Sequence, residues 1–204
     1  MPRTGWTPDE LKQKALDAAE IVIRKAGFER SKLTDVARDL GVSHAALYKH
    51  FASKDELLDG VTGRWLTRID AELAAVAQAD GSVIERLQAF FLTLHQLKRQ
   101  KVMADPELYA AFNASAATRQ PSVAAHLAHM KAQLEALIAE GLARGELAPG
   151  DPAGISAILF IGTMAFHHPR LVLETITEDR VPALEAVLKA LLTGLSAAAG
   201  KNAS

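Results

Sequence analysis

The chain has 204 residues, a formal net charge of -1 and no cysteine, which leaves room for one compact domain or a small module joined to a larger one, and excludes a disulfide framework or a thiolate metal site. No apolar run approaches the length of a bilayer span, and the opening Met1-Pro2-Arg3-Thr4-Gly5-Trp6 lacks the apolar core of a signal peptide, so a soluble, cytoplasmic protein is expected. The near-neutral balance conceals a cluster: from Arg24 to Lys54 seven cations stand against three acids, a net excess of about four, the electrostatic footprint that a phosphate-binding surface needs.

Taken in order, Thr7-Pro8-Asp9-Glu10 predicts a helix start, with Thr7 as N-cap, proline at the first helical position and Glu10 closing a capping box. Leu11, Ala15, Ala18, Val22 and Ala26 continue it as an apolar stripe, Gly27 ends it, and Phe28 is expected to pack beneath the next elements. Leu33, Val36, Ala37 and Leu40 then share one side of a short helix that Gly41 terminates. Ser43 is a good N-cap for a second short helix, which buries Ala46 or Leu47 and Phe51 while His44, Ala45, Tyr48 and Lys49 project elsewhere. Two short helices joined by a glycine-containing turn make a helix-turn-helix, whose second helix can enter a DNA major groove.

The run Gly41-Val42-Ser43-x-x-x-Leu47-Tyr48-x-His50-Phe51-x-Ser53-Lys54-x-x-Leu57 resembles the DNA-binding signature of the tetracycline-repressor (TetR) family of bacterial regulators. The resemblance covers roughly the first quarter of the chain. It implies an all-α fold: an N-terminal three-helix DNA-binding domain, residues 7–54, and a larger C-terminal helical domain, residues 55–204, for ligand binding and dimerisation. The pattern departs from the family at two places. Ala45-Ala46 stand where members commonly have Gly-Thr, and Lys32 stands where a Thr or Ser commonly precedes the leucine, so a borrowed operator sequence does not carry over.

Beyond the motif, Ser53-Lys54-Asp55-Glu56 predicts a capping box and a long helix through Leu57, Leu58, Val61, Trp65, Ile69, Leu73 and Val76, broken at Asp80-Gly81-Ser82. Ser82 to Glu85 opens the next helix, with Leu87, Phe90, Phe91, Leu94 and Leu97 inward and Lys98, Arg99 and Lys101 closing it. Asp105-Pro106-Glu107 starts another. Ser122 to Ala143 reads as a long helix with Ala124, Leu127, Leu134, Leu137, Ile138 and Leu142 inward. The helix after Asp151-Pro152 is apolar nearly all round and must be covered on both sides. A break at His167-His168-Pro169 precedes the last helix, with its broad face of Leu184, Leu188, Leu191, Leu192 and Leu195. One of these helices could occupy the centre of its domain. The preferred reading pairs the last two long helices with their copies in a second subunit as a four-helix bundle, which is also how the resembled family dimerises. The tail, residues 197–204, is small, polar and expected to fray.

Base readout needs side chains at the groove-facing end of the second helix, flanked by phosphate contacts. His44 and Lys49 are the candidates for base edges, and Ala45 could meet a thymine methyl. The resemblance makes Tyr48 a phosphate contact joined by His50 and Lys54, with Ser43 as cap or phosphate donor and Lys32 as a charged substitute for a missing hydroxyl. The rival readings make Tyr48 a partly buried aromatic, Lys54 a solvated cation at a helix start, and His50 a donor to a local carbonyl.

The resemblance also implies a small-molecule site in the larger domain. Its candidate lining is Trp65, Phe91, Tyr109, Phe112, Met130 and Met164, with Phe90, Leu94 and Phe166 beside them and His95, Asn113, His126 and His167 as polar fixtures; such a lining suits an apolar or aromatic effector. His126 and His129, three apart, are more often solvent-facing or capping than metal ligands. No metal and no cofactor are expected. The expected function is a homodimeric, ligand-responsive transcriptional regulator, a repressor in the usual case, on a palindromic operator. The alternative is a DNA-associated architectural or protein-interaction factor without ligand control. No nucleophile elbow, phosphate loop or paired carboxylates are evident, so an enzyme is not expected.

Overall fold

The computed structural model describes residues 5–196; the tail expected to fray lies outside them. Among the described residues there are eleven helices and, in place of strands, a single isolated bridge between Leu147 and Ser196. The chain forms two compact units. The first takes the residues up to Thr67 together with Met103–Ala125, and the second takes Arg68–Val102 together with the residues from His126 onward.

In the first unit, α1 (Pro8–Ala26) carries the full capping box: Thr7 Oγ1 accepts from Glu10 N at 3.2 Å and Glu10 Oε2 accepts from Thr7 N at 2.8 Å. The short α2 (Leu33–Asp39) and α3 (His44–Tyr48) follow. Between them Gly41 is left-handed at φ 64, its N–H donates to Arg38 O, and Val42 N–H reaches back to Ala37 O. That pair of bonds is the Schellman closure, which satisfies two terminal carbonyls and turns the chain sharply into α3. Leu47 and Phe51 drop into one core with Ala15, Leu16, Ala19, Ile23, Leu33, Val36 and Leu57, against which Phe28 packs as expected.

The first part of α4 (Lys54–Ala77) completes this core. Gly60 lets it approach α1 closely, for a Cβ there would lie 2.8 Å from Leu16 Cδ2. Its start differs from the expected box. Ser53 Oγ accepts from Glu56 N, but Glu56 Oε2 reaches past Ser53 to Ala52 N at 2.6 Å. α6 (Pro106–Ala117) packs on α1. Asp105, its N-cap, makes no side-chain cap; its carboxylate instead takes Arg24 at 2.8 Å, while Glu107 accepts the N–H of Phe28 at 3.1 Å. A charged partner within reach outcompetes the local backbone donors.

In the second unit, α5 (Val83–Ala104) and α7 (Pro121–Ala143) supply long apolar stripes. Two readings from sequence are corrected here. Lys98 does not close α5 at a wet C-terminus: it lies in line with Phe91, Leu94, His95 and Val102 and is only 3 % exposed. On α7, Ala124 and Leu127 face outward, and the inward stripe is Val123, His126, Met130, Leu134, Leu137 and Ile138. The shift by about one position follows once His126 finds an internal partner and no longer needs water.

The last helices are α8 (Pro152–Gly162), α9 (Met164–His167), α10 (Pro169–Glu174) and α11 (Val181–Leu195). Asp151 Oδ2 caps α8 by accepting from Gly154 N at 2.8 Å. Asp151→Ala is expected to cost about 1 kcal/mol, seen as a lower urea midpoint with an unchanged slope. α8 buries Ile155 and Leu159 but leaves Ile158 at 49 % and Ile161 at 66 % exposed, with Met164 also exposed beyond its end. Within one chain this helix is therefore covered on one side only. On α11, Leu184, Leu188 and Leu192 are buried.

Candidate nucleic-acid interface and effector site

The helix-turn-helix residues named from sequence sit as follows. Ser43 Oγ is the N-cap of α3 and accepts from Ala46 N at 3.2 Å, so its hydroxyl is committed to the turn as acceptor, and its O–H can still donate outward. His44, Ala45, Tyr48 and Lys49 are all exposed, with the His44 ring set edge-on to Tyr48 at 4.4 Å. Tyr48 is 46 % exposed. His50 is half-buried beyond the helix, and its backbone N–H donates to Leu47 O. Lys32 is exposed at the N-cap of α2 in extended backbone and makes no side-chain cap.

Lys54 has a second occupation. Its Nζ donates to the carbonyls of Phe28 and Glu29, both at 2.9 Å, and stands 5.1 Å above the Phe28 ring. It ties the end of α1 to the start of α4, and an ammonium has a third N–H available for a phosphate.

The effector residues named from sequence fall in both units. Trp65, Tyr109, Phe112 and Asn113 belong to the first, where Trp65 meets Phe112 at 4.8 Å and Tyr109 at 5.9 Å, edge to face. Phe91, His95, His126, Met130, Met164 and His167 belong to the second. There His95 Nδ1 bonds the carbonyl of Phe166 at 2.7 Å, His167 Nε2 bonds that of Phe160 at 3.2 Å, and Lys98 Nζ donates to the carbonyl of His167 at 2.6 Å. Met164 points outward and the other five are buried. Burial lowers the pKa of all three histidines, His167 to about 3 with help from the Lys98 charge, and lowers that of Lys98 to about 7.

Asp70 and Lys98 are the polar residues that the sequence reading missed. Asp70 accepts from His126 Nδ1 at 2.5 Å and from His129 Nδ1 at 3.1 Å, and its backbone carbonyl accepts from Gln133. The signal for the pair was present in the i, i+3 spacing of His126 and His129, which places both on one side of α7. His126 is thus an internal partner and not a solvent-facing or capping residue. Among the described residues no group of three or more His, Cys, Asp or Glu is arranged to hold a metal ion. A separate groove of ≈ 340 Å³ opens between α7 and α8, floored by Leu134, Ser156 and Phe160 and rimmed by Leu127, Lys131 and Ile161. None of the effector candidates named from sequence is among its lining residues.

Two family models match the chain: that described as bacterial regulatory proteins, tetR family, over residues 15–61, and that of the tetracyclin repressor-like C-terminal domain over residues 84–188. The chain belongs to the TetR family. It carries the helix-turn-helix of that family in α2 and α3. It is 28% identical over 137 residues to the HTH-type transcriptional repressor KstR of Mycolicibacterium smegmatis, a match that covers 67% of this chain and 65% of that one, a little under two thirds of its length. Its fold is similar to that of a protein of unknown function from Rhodococcus sp. RHA1, with TM-score 0.70, 25% identity and coverage of 96% and 99% of the two chains. The regulator FadR of Bacillus subtilis in complex with stearoyl-CoA shares the fold at TM-score 0.66, 19% identity and 90% and 98% coverage. No helix among the described residues is long and apolar enough to cross a membrane.

Proposed function

We propose that this TetR-family regulator is a repressor that binds a palindromic operator as a homodimer and is released by a small, mostly apolar effector. The observation that carries the reading is the exposed set His44, Ala45, Tyr48 and Lys49 on a recognition helix anchored by buried Leu47. Residues 7–54 are the DNA-binding part and residues 55–204 the ligand-binding and dimerisation part. His44, Ala45 and Lys49 read base edges; Tyr48, His50, Lys54, Lys32 and Ser43 hold the backbone. The uncovered face of α8, with Ile158, Ile161 and Met164, supports pairing of α8 and α11 with their copies, because an apolar face of that kind is hidden by association. The effector residues named above belong to the same reading. Release follows if the effector has a higher affinity for the dimer whose heads no longer fit the operator spacing.

Selection of bound sequences from a random DNA pool, at two salt concentrations, tests it. An inverted repeat that survives the higher salt is the expected result. No motif, with binding that vanishes as salt rises, would leave phosphate attraction only and move the architectural alternative ahead. On the selected site, Lys49→Ala is expected to cost about 1–3 kcal/mol and relax preference at one position of each half-site, and Lys54→Ala to weaken all sequences alike and lower the salt slope by about one. Lys54→Ala should also lower the melting temperature, because two carbonyls lose their donor.

A further inference from the structure

His126 and His95 are each fixed in one tautomer by a partner that can only accept. Burial by itself would raise the Asp70 carboxyl, but the hydrogen bonds from His126 and His129 bring it below its ordinary value, so at neutral pH it is a carboxylate. It therefore accepts, and His126 Nδ1 carries the proton. The carbonyl of Phe166 imposes the same on Nδ1 of His95. Burial keeps both rings neutral, which leaves each Nε2 as a bare lone pair.

Among the described residues no donor reaches either lone pair. His126 is 2 % exposed and His95 1 % exposed, and Nε2 of each is buried without a hydrogen-bond partner. Polar atoms so placed are rare in folded proteins, and each calls for an explanation. Their neighbours along the helices, Met130 one turn beyond His126 and Phe91 one turn before His95, are buried and apolar. The complement of such a place is an apolar molecule that brings its own N–H or O–H.

We infer that the effector is an apolar molecule carrying a hydroxyl or amide N–H donor, received by Nε2 of His126 and, where a second donor is present, by Nε2 of His95. This rests on the effector-released regulator proposed above and names the chemistry of its ligand. Asp70 acts as a positioning residue: it contacts no effector, and it decides which ring nitrogen of His126 bears the proton. An ether or ketone of the same shape offers a second lone pair to the first and is rejected. A carboxylate does the same unless it brings a proton with it.

The experiment uses the full-length protein, selectively ¹⁵N-labelled at histidine, with phenol, anisole and benzoate as matched probes. In the free protein the Nε2 resonances of His126 and His95 are expected in the unprotonated range. Phenol should shift the His126 signal and bind about tenfold more tightly than anisole, after correction for their partition into octanol, as one net neutral hydrogen bond implies. Asp70→Asn lets the amide donate to Nδ1, moves the proton to Nε2 and should bring the two affinities near parity. His126→Phe should abolish the preference, and Asp70→Asn keeps the test decisive if that variant does not fold. A protonated Nε2 in the free protein, equal binding of phenol and anisole, tighter binding of benzoate, or no binding of any probe would each overturn the inference. Operator binding measured on the same samples separates the two readings: a chain that binds its operator yet fails the probe series remains a regulator with a different ligand class.

Discussion

Acidification below about pH 6.5 is expected to unfold this protein far more readily than its near-neutral charge suggests, because three buried histidines resist protonation. The unfolded chain takes up a proton on each as the pH falls through the ordinary value of 6.5, while in the folded chain burial depresses each value, that of His167 to about 3. The folded pKa values are depressed, so the stability is present above the ordinary histidine value and is lost as the pH falls toward the folded one. Each such group costs about 1.4 kcal/mol per pH unit inside its window, and His167, with its folded value of about 3, has a window of more than three units. Against a typical total of about 5–15 kcal/mol, one to two units of acid are enough to matter.

Urea midpoints taken from pH 7.5 down to pH 5 should fall, and His167→Asn should flatten the slope by about 1.4 kcal/mol per unit below pH 6.5. Midpoints that stay flat would mean that the imidazoles are already charged in the fold. Lys98 extends the same trend upward. Its folded value of about 7 lies below the ordinary 10.5, so the unfolded chain holds the extra proton between them and stability continues to rise with pH through that interval.

Phe51→Ala is expected to cost about 3–5 kcal/mol and to abolish DNA binding. Phe51 is 1 % exposed, immediately after α3, and its ring lies beside Gly60, where an added Cβ would be 3.7 Å from Phe51 Cε1. It joins the turn after the recognition helix to α4 and to the core of Leu16, Val36 and Leu47. α3 has only five residues, too few to persist without tertiary support. The loss should therefore appear as fast amide exchange over α2 and α3 together with a lower melting temperature. Phe51→Leu, which keeps most of the volume, should lose less than about 1.5 kcal/mol and retain operator binding. Operator binding by Phe51→Ala at wild-type affinity would show that α3 is held from elsewhere.

Local chemistry carried much of this structure into the sequence in readable form. The caps at Thr7, Ser43, Ser82 and Asp151, the left-handed Gly41 and the inward Leu47 and Phe51 depend on neighbours within a turn or two of the chain, and such interactions are written in residue order. The family signature lies in that same stretch, which is why the DNA-binding class was legible. Long-range partners were not. Asp105, at the start of α6, is held by Arg24 from α1, and Glu56 reaches Ala52.

Lys98 and His126 mark the boundary most clearly. By residue type each belongs in water, and a periodicity argument puts a lysine near a helix end and a histidine on a wet face. Desolvating either is unfavourable until a partner is supplied, and the partners, the carbonyl of His167 for one and the carboxylate of Asp70 for the other, come from helices distant in sequence. The sequence alone determined the helices, their ends and the motif that meets DNA, because those follow from short-range hydrogen bonding and apolar spacing. Which polar side chains are buried, in which tautomer, and with which nitrogen left without a partner, only the tertiary structure decided, because each depends on a group that the chain brings near only when it is folded.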